Sequence, residues 1–377
     1  MLFAKIPVVV PVAFARVHAI APDAIQVSIT LAASMAVFMG ILRIAESAGI
    51  MPILARPLMP ILCKLFPNQP QAIDTIALNV SANLLGMGNA ATPFGLRAMS
   101  ILEATNPNKG VASNAQIMFL ALNTAGLTLL PTKVIALRAS LGSTDPTAII
   151  GPTLASSLCA ALAGLLTAWL LNGCPKGEQS TGIRWIIPLL LIAVLAALLI
   201  RSGASLGVWI LPGMIASILT WGYMRGVRLY ESFVQGAKDG LKLTWKISPY
   251  LITILVAVGM TRSSGALDAV LTPLGQWLSP LGLPPQAFLM AVLRTLSGSG
   301  AFGLLASNLA QADSGPDTPL GILLSTIYGS TETTFYVIAV YFGSVGTRNL
   351  RHAIAVGVIA DLAGLMAATL ICNGVFG

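Results

Sequence analysis

Ile327-Tyr-Gly-Ser-Thr-Glu-Thr-Thr-Phe-Tyr-Val-Ile338 decides how this chain is read. It sets a carboxylate, Glu332, among the hydroxyls of Ser330, Thr331, Thr333 and Thr334, inside a run otherwise suited to lipid. In hydrocarbon an unsatisfied polar group costs several kcal/mol. An ionisable residue at membrane depth therefore marks function or a specific ion pair.

The composition agrees with a membrane setting. Of the 377 residues, 56% are hydrophobic and 9% charged, far below the roughly one quarter charged of a soluble domain. Apolar runs recur along the whole length, which gives an all-α polytopic membrane protein. The net charge of +8 lies in loops and at helix ends, as the positive-inside rule requires, and does not indicate nucleic acid. Cys63, Cys159, Cys174 and Cys372 have no metal-type spacing, and His18 and His352 are the only histidines. No metal site and no cofactor is expected. The absence of a Walker loop or nucleophile elbow argues against an enzyme.

In chain order, residues 6–17 are apolar but interrupted by two prolines and Arg16, and read as a short interfacial or partly inserted segment ahead of the spanning helix at 28–45. Residues 49–66 read as a proline-punctuated apolar hairpin or arm. Residues 149–171 read as a plain span, 173–182 as a polar linker, and 184–199 with 206–223 as a helical hairpin. Residues 225–246 read as a basic cytoplasmic loop holding an interfacial helix, with Phe233, Ala237, Leu241 and Trp245 on one stripe and Lys238, Lys242 and Lys246 on the next. The domain boundaries follow: 1–172, a linker and hairpin at 173–224, and 225–377.

From residue 247 the pattern starts again. Gly259, Arg262, Gly265 and Pro273 echo Gly40, Arg43, Gly49 and Pro57. Gly298-Ser-Gly300 falls where Gly86-Met-Gly88 fell, and Gly329 to Ala339 aligns without a gap on Gly126 to Ala136. Two repeats are expected, inverted relative to each other, with interrupted or re-entrant hairpins, as in secondary transporters.

Four stretches break the hydrophobic pattern: 79–93, 123–132, 294–303 and 329–336. Irregular backbone at membrane depth is tolerated where it is buried in protein or lines a cavity. Small residues also serve close helix packing. The expected binding residues are Asn83, Asn89, Thr92, Asn123, Thr124, Thr128, Arg294, Ser297, Ser299, Ser330, Thr331, Glu332 and Thr333. Glu332 and Asp361 are the expected carriers of a coupling proton or cation. An ion pair of either carboxylate with Arg262 or Arg294 is the structural alternative. Arg43 and Glu46, three apart on a helix, are placed to pair.

The strings Asn79-Val-Ser-Ala-Asn-Leu-Leu-Gly-Met-Gly-Asn-Ala-Ala-Thr-Pro93 and Phe119-Leu-Ala-Leu-Asn-Thr-Ala-Gly-Leu-Thr-Leu-Leu-Pro-Thr132 resemble the spore maturation protein A family. Tyr230-Glu-Ser-Phe-Val-Gln-Gly-Ala-Lys-Asp-Gly240, Arg262-Ser-Ser-Gly-Ala-Leu-Asp268 and Gly329-Ser-Thr-Glu-Thr-Thr-Phe-Tyr336 resemble the spore maturation protein B family. The chain thus looks like a fusion of the two, joined between residues 173 and 225. Both belong to the nucleoside-recognition, or Gate, group. Gly329-Ser-Thr-Glu-Thr-Thr334 is also similar to the Gly-Gln-Thr-Glu-Ala-Pro hairpin of concentrative nucleoside transporters. Ser330 stands at the Gln, Thr331 at the Thr, Glu332 at the Glu and Thr334 at the Pro.

The resemblance implies a fold distantly like those transporters, with a hairpin tip that contacts solute and helps hold sodium. The expected function is secondary transport of a small polar solute, nucleoside-like or a small organic anion, coupled to H+ or Na+, in the bacterial cytoplasmic membrane. The alternatives are a non-transporting assembly or regulatory protein and an ion-conducting pore. The expected partners are the solute, the lipid bilayer and further copies of the chain, with no nucleic acid.

Overall fold

The computed structural model describes residues 6–172, 204–263, 265–278, 280 and 282–376. The linker at 173–182, the helix expected at 184–199 and Cys174 lie outside the described residues. What is described is helical: α1 Ile6–Ser47, α2 Ile50–Leu65, α3 Ile73–Leu84, α4 Gly88–Ala104, α5 Asn114–Thr124, α6 Thr132–Ser140 and α7 Ile150–Leu171 come first. Then come α8 Ala204–Met224, α9 Leu229–Ser263, α10 Ala266–Leu278, α11 Pro285–Leu296, α12 Gly298–Leu309, α13 Pro319–Ser330, α14 Thr334–Ser344 and α15 Ala353–Phe376. Among the described residues, Ser28–Ser47, Ile150–Leu171 and Ala353–Phe376 are long and apolar enough to cross a membrane.

Two expectations are corrected. Residues 6–17 are not a separate interfacial segment but the first turns of the 42-residue α1. Pro7 falls in the first turn, where a missing N–H costs nothing. The basic stretch 225–246 is not a loop, because α9 runs unbroken from Leu229 through it. Its inner stripe is small residues rather than Leu241 and Trp245, which are exposed. A Cβ on Gly236 would meet the Met39 carbonyl oxygen at 2.3 Å, and one on Gly240 the Met35 oxygen at 2.5 Å. The pairs 236 with 39 and 240 with 35 make α1 and α9 antiparallel, packed backbone to backbone.

The helices α7 and α15 cross in the same way. A Cβ on Gly164 would lie 3.1 Å from that of Ala360, and one on Gly364 would lie 3.2 Å from that of Ala160. An Ala-x3-Gly pair on each helix faces its counterpart, and the two run antiparallel. The helices α5 and α13 pack against both.

Two loop junctions lie at opposite ends of α7. At one end, Arg138, fully buried, donates to the carbonyls of Pro146, Asp145 and Pro316, and pairs with Asp317 at 3.2 Å. At the other, Arg348 and Asn349 donate backbone N–H to the Gly110 oxygen, and Arg351 donates to Ala112 O and Asn114 Oδ1. Asn172, at the end of α7, ties this second junction to His352. The α3–α4 pair folds back on itself, so that Thr105, just past α4, donates to Gln69, just before α3.

Candidate functional site

Each of the four hydroxyl- and glycine-rich stretches contains a helix break: Leu85–Met87, Ala125–Pro131, Ser297 and Thr331–Thr333. A helix end leaves carbonyls and N–H groups without intrahelical partners, and inside a membrane these need other partners. Here they find each other. Leu84 O, at the end of α3, accepts from Leu129 N and Leu130 N at 2.9 and 3.2 Å. Thr124 O, at the end of α5, accepts from Glu332 N at 3.0 Å. Thr331 O accepts from Arg294 Nε at 2.9 Å and also from Nη2. Two glycines permit close approach here: Gly86, with φ +70°, lies against the Leu130 carbonyl oxygen, and Gly126 has φ +52° and a Cβ there would sit 2.9 Å from the Thr331 carbonyl carbon.

Arg294, in the last turn of α11 and buried, is the fastener. Its Nη1 donates to Thr333 Oγ1 at 3.3 Å, its Nη2 reaches Glu332 Oε2 at 3.3 Å, and its guanidinium lies 4.3 Å over the Tyr328 ring. Glu332 is therefore ion-paired with Arg294, while 39% of its side chain remains accessible. That access is into a cavity of about 60 Å³, lined by Asn83, Gly86, Thr128, Lys133, Arg294 and Glu332 among others. A larger vestibule of about 470 Å³ adjoins it and shares Gly86, Gly88 and Lys133. It lies between α1 and α9, with Arg43, Glu46, Asp239, Lys242 and Lys246 on its walls. Arg43 and Glu46 pair there at 2.6 Å.

The expected binding residues divide into groups. Asn83, Thr128, Arg294 and Glu332 line the inner cavity. Asn123 stands one step behind it, accepting from Asn83 Nδ2 at 3.3 Å and from the Tyr341 hydroxyl at 3.2 Å. Thr331 and Thr333 are held by Arg294. The others are turned to local backbone work. Thr92, Thr124 and Ser330 donate to carbonyls of their own helices, and Ser297 caps α12 by accepting from Gly300 N. Ser299 lies in the first turn of α12 and is not on the cavity lining, and Asn89 lies in the first turn of α4. Asp361 is not on the lining either. It accepts from Thr334 Oγ1 at 2.7 Å, and its Oδ1 is buried without a donor in hydrogen-bond geometry. Among the described residues, no group of three His, Cys, Asp or Glu is placed to hold a metal.

Sequence reasoning missed Lys133 and Tyr341. Lys133 is half-buried and borders both the cavity and the vestibule, within electrostatic reach of Glu332 and Arg294. The signal was available, since a lysine sits inside the same apolar run as Asn123. Its place after Pro131 reads as a helix-end cation, and only the break that stops α5 short puts it at the centre. Tyr341 accepts from Asn79 Nδ2 and donates to Asn123, joining α3, α5 and α14.

This arrangement defines a helical membrane protein with a Gate domain. The Gate family, described as nucleoside recognition, matches residues 244–348. The chain is 42% identical to spore maturation protein B of Bacillus subtilis (strain 168) over 167 residues, which is 44% of this chain and 93% of that protein. It is 39% identical to spore maturation protein A of the same organism over 149 residues, 39% of this chain and 76% of that protein. It belongs to the family of spore maturation proteins A and B. No solved structure matches it.

Proposed function

We propose that the chain is a multi-pass secondary transporter of the bacterial cytoplasmic membrane. It moves a small polar solute, nucleoside-like or a small organic anion, coupled to H+ or Na+. The observation that carries this reading is the convergence of four helix breaks on one cavity holding Lys133, Arg294 and Glu332. Packing alone does not call for three charges at such a point.

The fold supports a fusion of two inverted Gate repeats. The order long helix, short arm, broken pair, broken pair, long helix runs through α1–α7 and again through α9–α15. The Gln69–Thr105 contact supports a re-entrant α3–α4 hairpin. On this reading α5–α6 crosses from one loop junction to the other, so each half crosses three times. An odd number inverts the second half, and the antiparallel α7–α15 crossing supports that reading. The halves also differ in a way that suits alternating access. The helix α12 packs along α9, whereas α4 is held off α1 by the vestibule. The cations of α9 beside the vestibule support a mouth on the cytoplasmic side, by the positive-inside rule. Copies would associate through the arms α2 and α10, where Trp277 is 85% exposed.

The test is solute uptake by proteoliposomes containing the wild type or Glu332→Gln. Loss of uptake by a folded variant is the expected outcome, and undiminished uptake would refute the role of Glu332. The relatives' names favour a second reading, a membrane assembly protein. For that, charge reversal at Lys242 and Lys246 would abolish function while Glu332→Gln did not.

A further inference from the structure

Lys133 is the least explained charge among the described residues. It has neither a hydrogen bond nor an ion pair within 4.0 Å among the described residues. Half-burying an ammonium in a membrane protein without a partner is costly, and such a charge at a cavity wall marks a place where a ligand can complete the site. Its surroundings do not supply the missing anion. Glu332 is already engaged by Arg294. The inner cavity therefore holds two cations and one carboxylate, an excess of one positive charge. The vestibule adds Arg43, Lys242 and Lys246 against Glu46 and Asp239, again one positive charge in excess even without Lys133. The local backbone has the same sign. Gly88 and Thr132-Lys133 are the first turns of α4 and α6, whose positive dipole ends face the cavity they line.

Volume divides the site. A water occupies about 30 Å³ of liquid, so about 60 Å³ suits a few waters or a small oxyanion group. The vestibule, at about 470 Å³, is within the range of small-molecule sites, roughly 300–1,000 Å³. Among the described residues, only Gly86, Gly88 and Lys133 border both spaces. A molecule seated in the vestibule with a negative group reaching past the two glycines would place that group against Lys133.

We infer that the solute is a small organic oxyanion, a carboxylate or phosphate monoester. Its anionic group docks on Lys133 beside Arg294, and its body lies in the vestibule between α1 and α9. This rests on the transporter reading and narrows it, because a neutral nucleoside would leave Lys133 uncompensated.

The experiment measures ligand-dependent thermal stabilisation of the purified full chain at constant ionic strength. The probes are uridine 5′-monophosphate, succinate and inorganic phosphate, with uridine as the neutral counterpart and phosphatidylglycerol in mixed micelles as a headgroup source. Wild-type protein should be stabilised by at least one soluble oxyanion and not by uridine. In Lys133→Met the apparent Kd for that oxyanion should rise about tenfold or more, the loss of one charge-assisted contact of about 1.4 kcal/mol. Lys133→Arg should retain binding, which guards against a folding artefact in the methionine variant. Stabilisation by uridine equal to that by its monophosphate would overturn the inference. So would undiminished oxyanion binding in Lys133→Met, or a Lys133-dependent response to phosphatidylglycerol with none to a soluble oxyanion. Lys133-dependent binding without uptake into proteoliposomes would sink transport and leave this site standing. Uptake of a neutral solute with no oxyanion binding would do the reverse.

Discussion

Arg294 and Gly126 show how single residues hold a broken helix inside a membrane. Arg294 provides the donors that the Thr331 carbonyl lost when α13 stopped. Arg294→Met should cost about 1–3 kcal/mol, the usual penalty for a buried acceptor left alone. Arg294→Lys should recover only part of this, because an ammonium lacks the planar fork. A lower melting temperature in detergent, ordered wild type, Lys, Met, is the expected result. Gly126→Ala should also destabilise, since it adds a left-handed penalty of about 1–2 kcal/mol to a contact with no room for a methyl group. Gly142→Ala is the control: its φ is +78° but its surroundings are open, so it should lose the conformational part alone. These roles were half legible in the sequence. Glu332 announced itself by its depth, and Arg294 as its partner. Lys133 did not, because what makes it central is the position of a break between α5 and α6, which depends on contacts with Leu84 far away in sequence.

At the scale of elements, the breaks were readable wherever glycine, proline and hydroxyl residues displaced the apolar pattern, and all four expected stretches contain one. Helix continuity was less readable. The charges of α9 looked like a loop because the sequence does not show that Gly236 and Gly240 lie flat against α1 while the lysines face outward or into the vestibule. The junction of Arg138 with Asp317 gives this scale its pH dependence. Burial alone would raise the Asp317 pKa, but hydrogen bonds from Ser143 and Thr144, with the Arg138 charge, outweigh it and hold the carboxyl below its ordinary value. A depressed carboxylate stabilises the fold above its unfolded pKa and loses that contribution as pH falls through the folded one. Asp317→Asn should therefore lower thermal stability at neutral pH and flatten its decline between about pH 5 and pH 3. An unchanged acid limb would show that the junction contributes nothing there. The α7–α15 crossing should be less forgiving at every pH. Gly364→Leu would push a side chain into Ala160 and should lower the yield of folded protein, whereas Leu370→Ala, on the exposed side of α15, should not.

For the whole molecule, the packing joins its two ends more closely than its order in sequence suggests. The helices α1 and α9 seal one contact and α7 and α15 another, so neither half covers its own glycine faces. A chain cut within residues 173–203 and expressed as two pieces should reassemble when both are present, and each piece alone should be degraded. Co-purification of one tagged piece with the other checks this.

The vestibule carries a cost counted in water. Filled with solvent, about 470 Å³ holds about fifteen molecules. If α4 closes onto α1 as α12 already lies on α9, those waters leave, and the closed form becomes the one favoured by osmotic stress. A polymer too large to enter the vestibule should then slow labelling of a Gly88→Cys variant, stripped of its native cysteines, by a polar thiol reagent. The slowing should grow with osmotic pressure and not with viscosity. A labelling rate indifferent to osmotic pressure would mark the vestibule as a fixed cleft. A steep dependence would make the working cycle of this protein sensitive to how much free water its compartment contains.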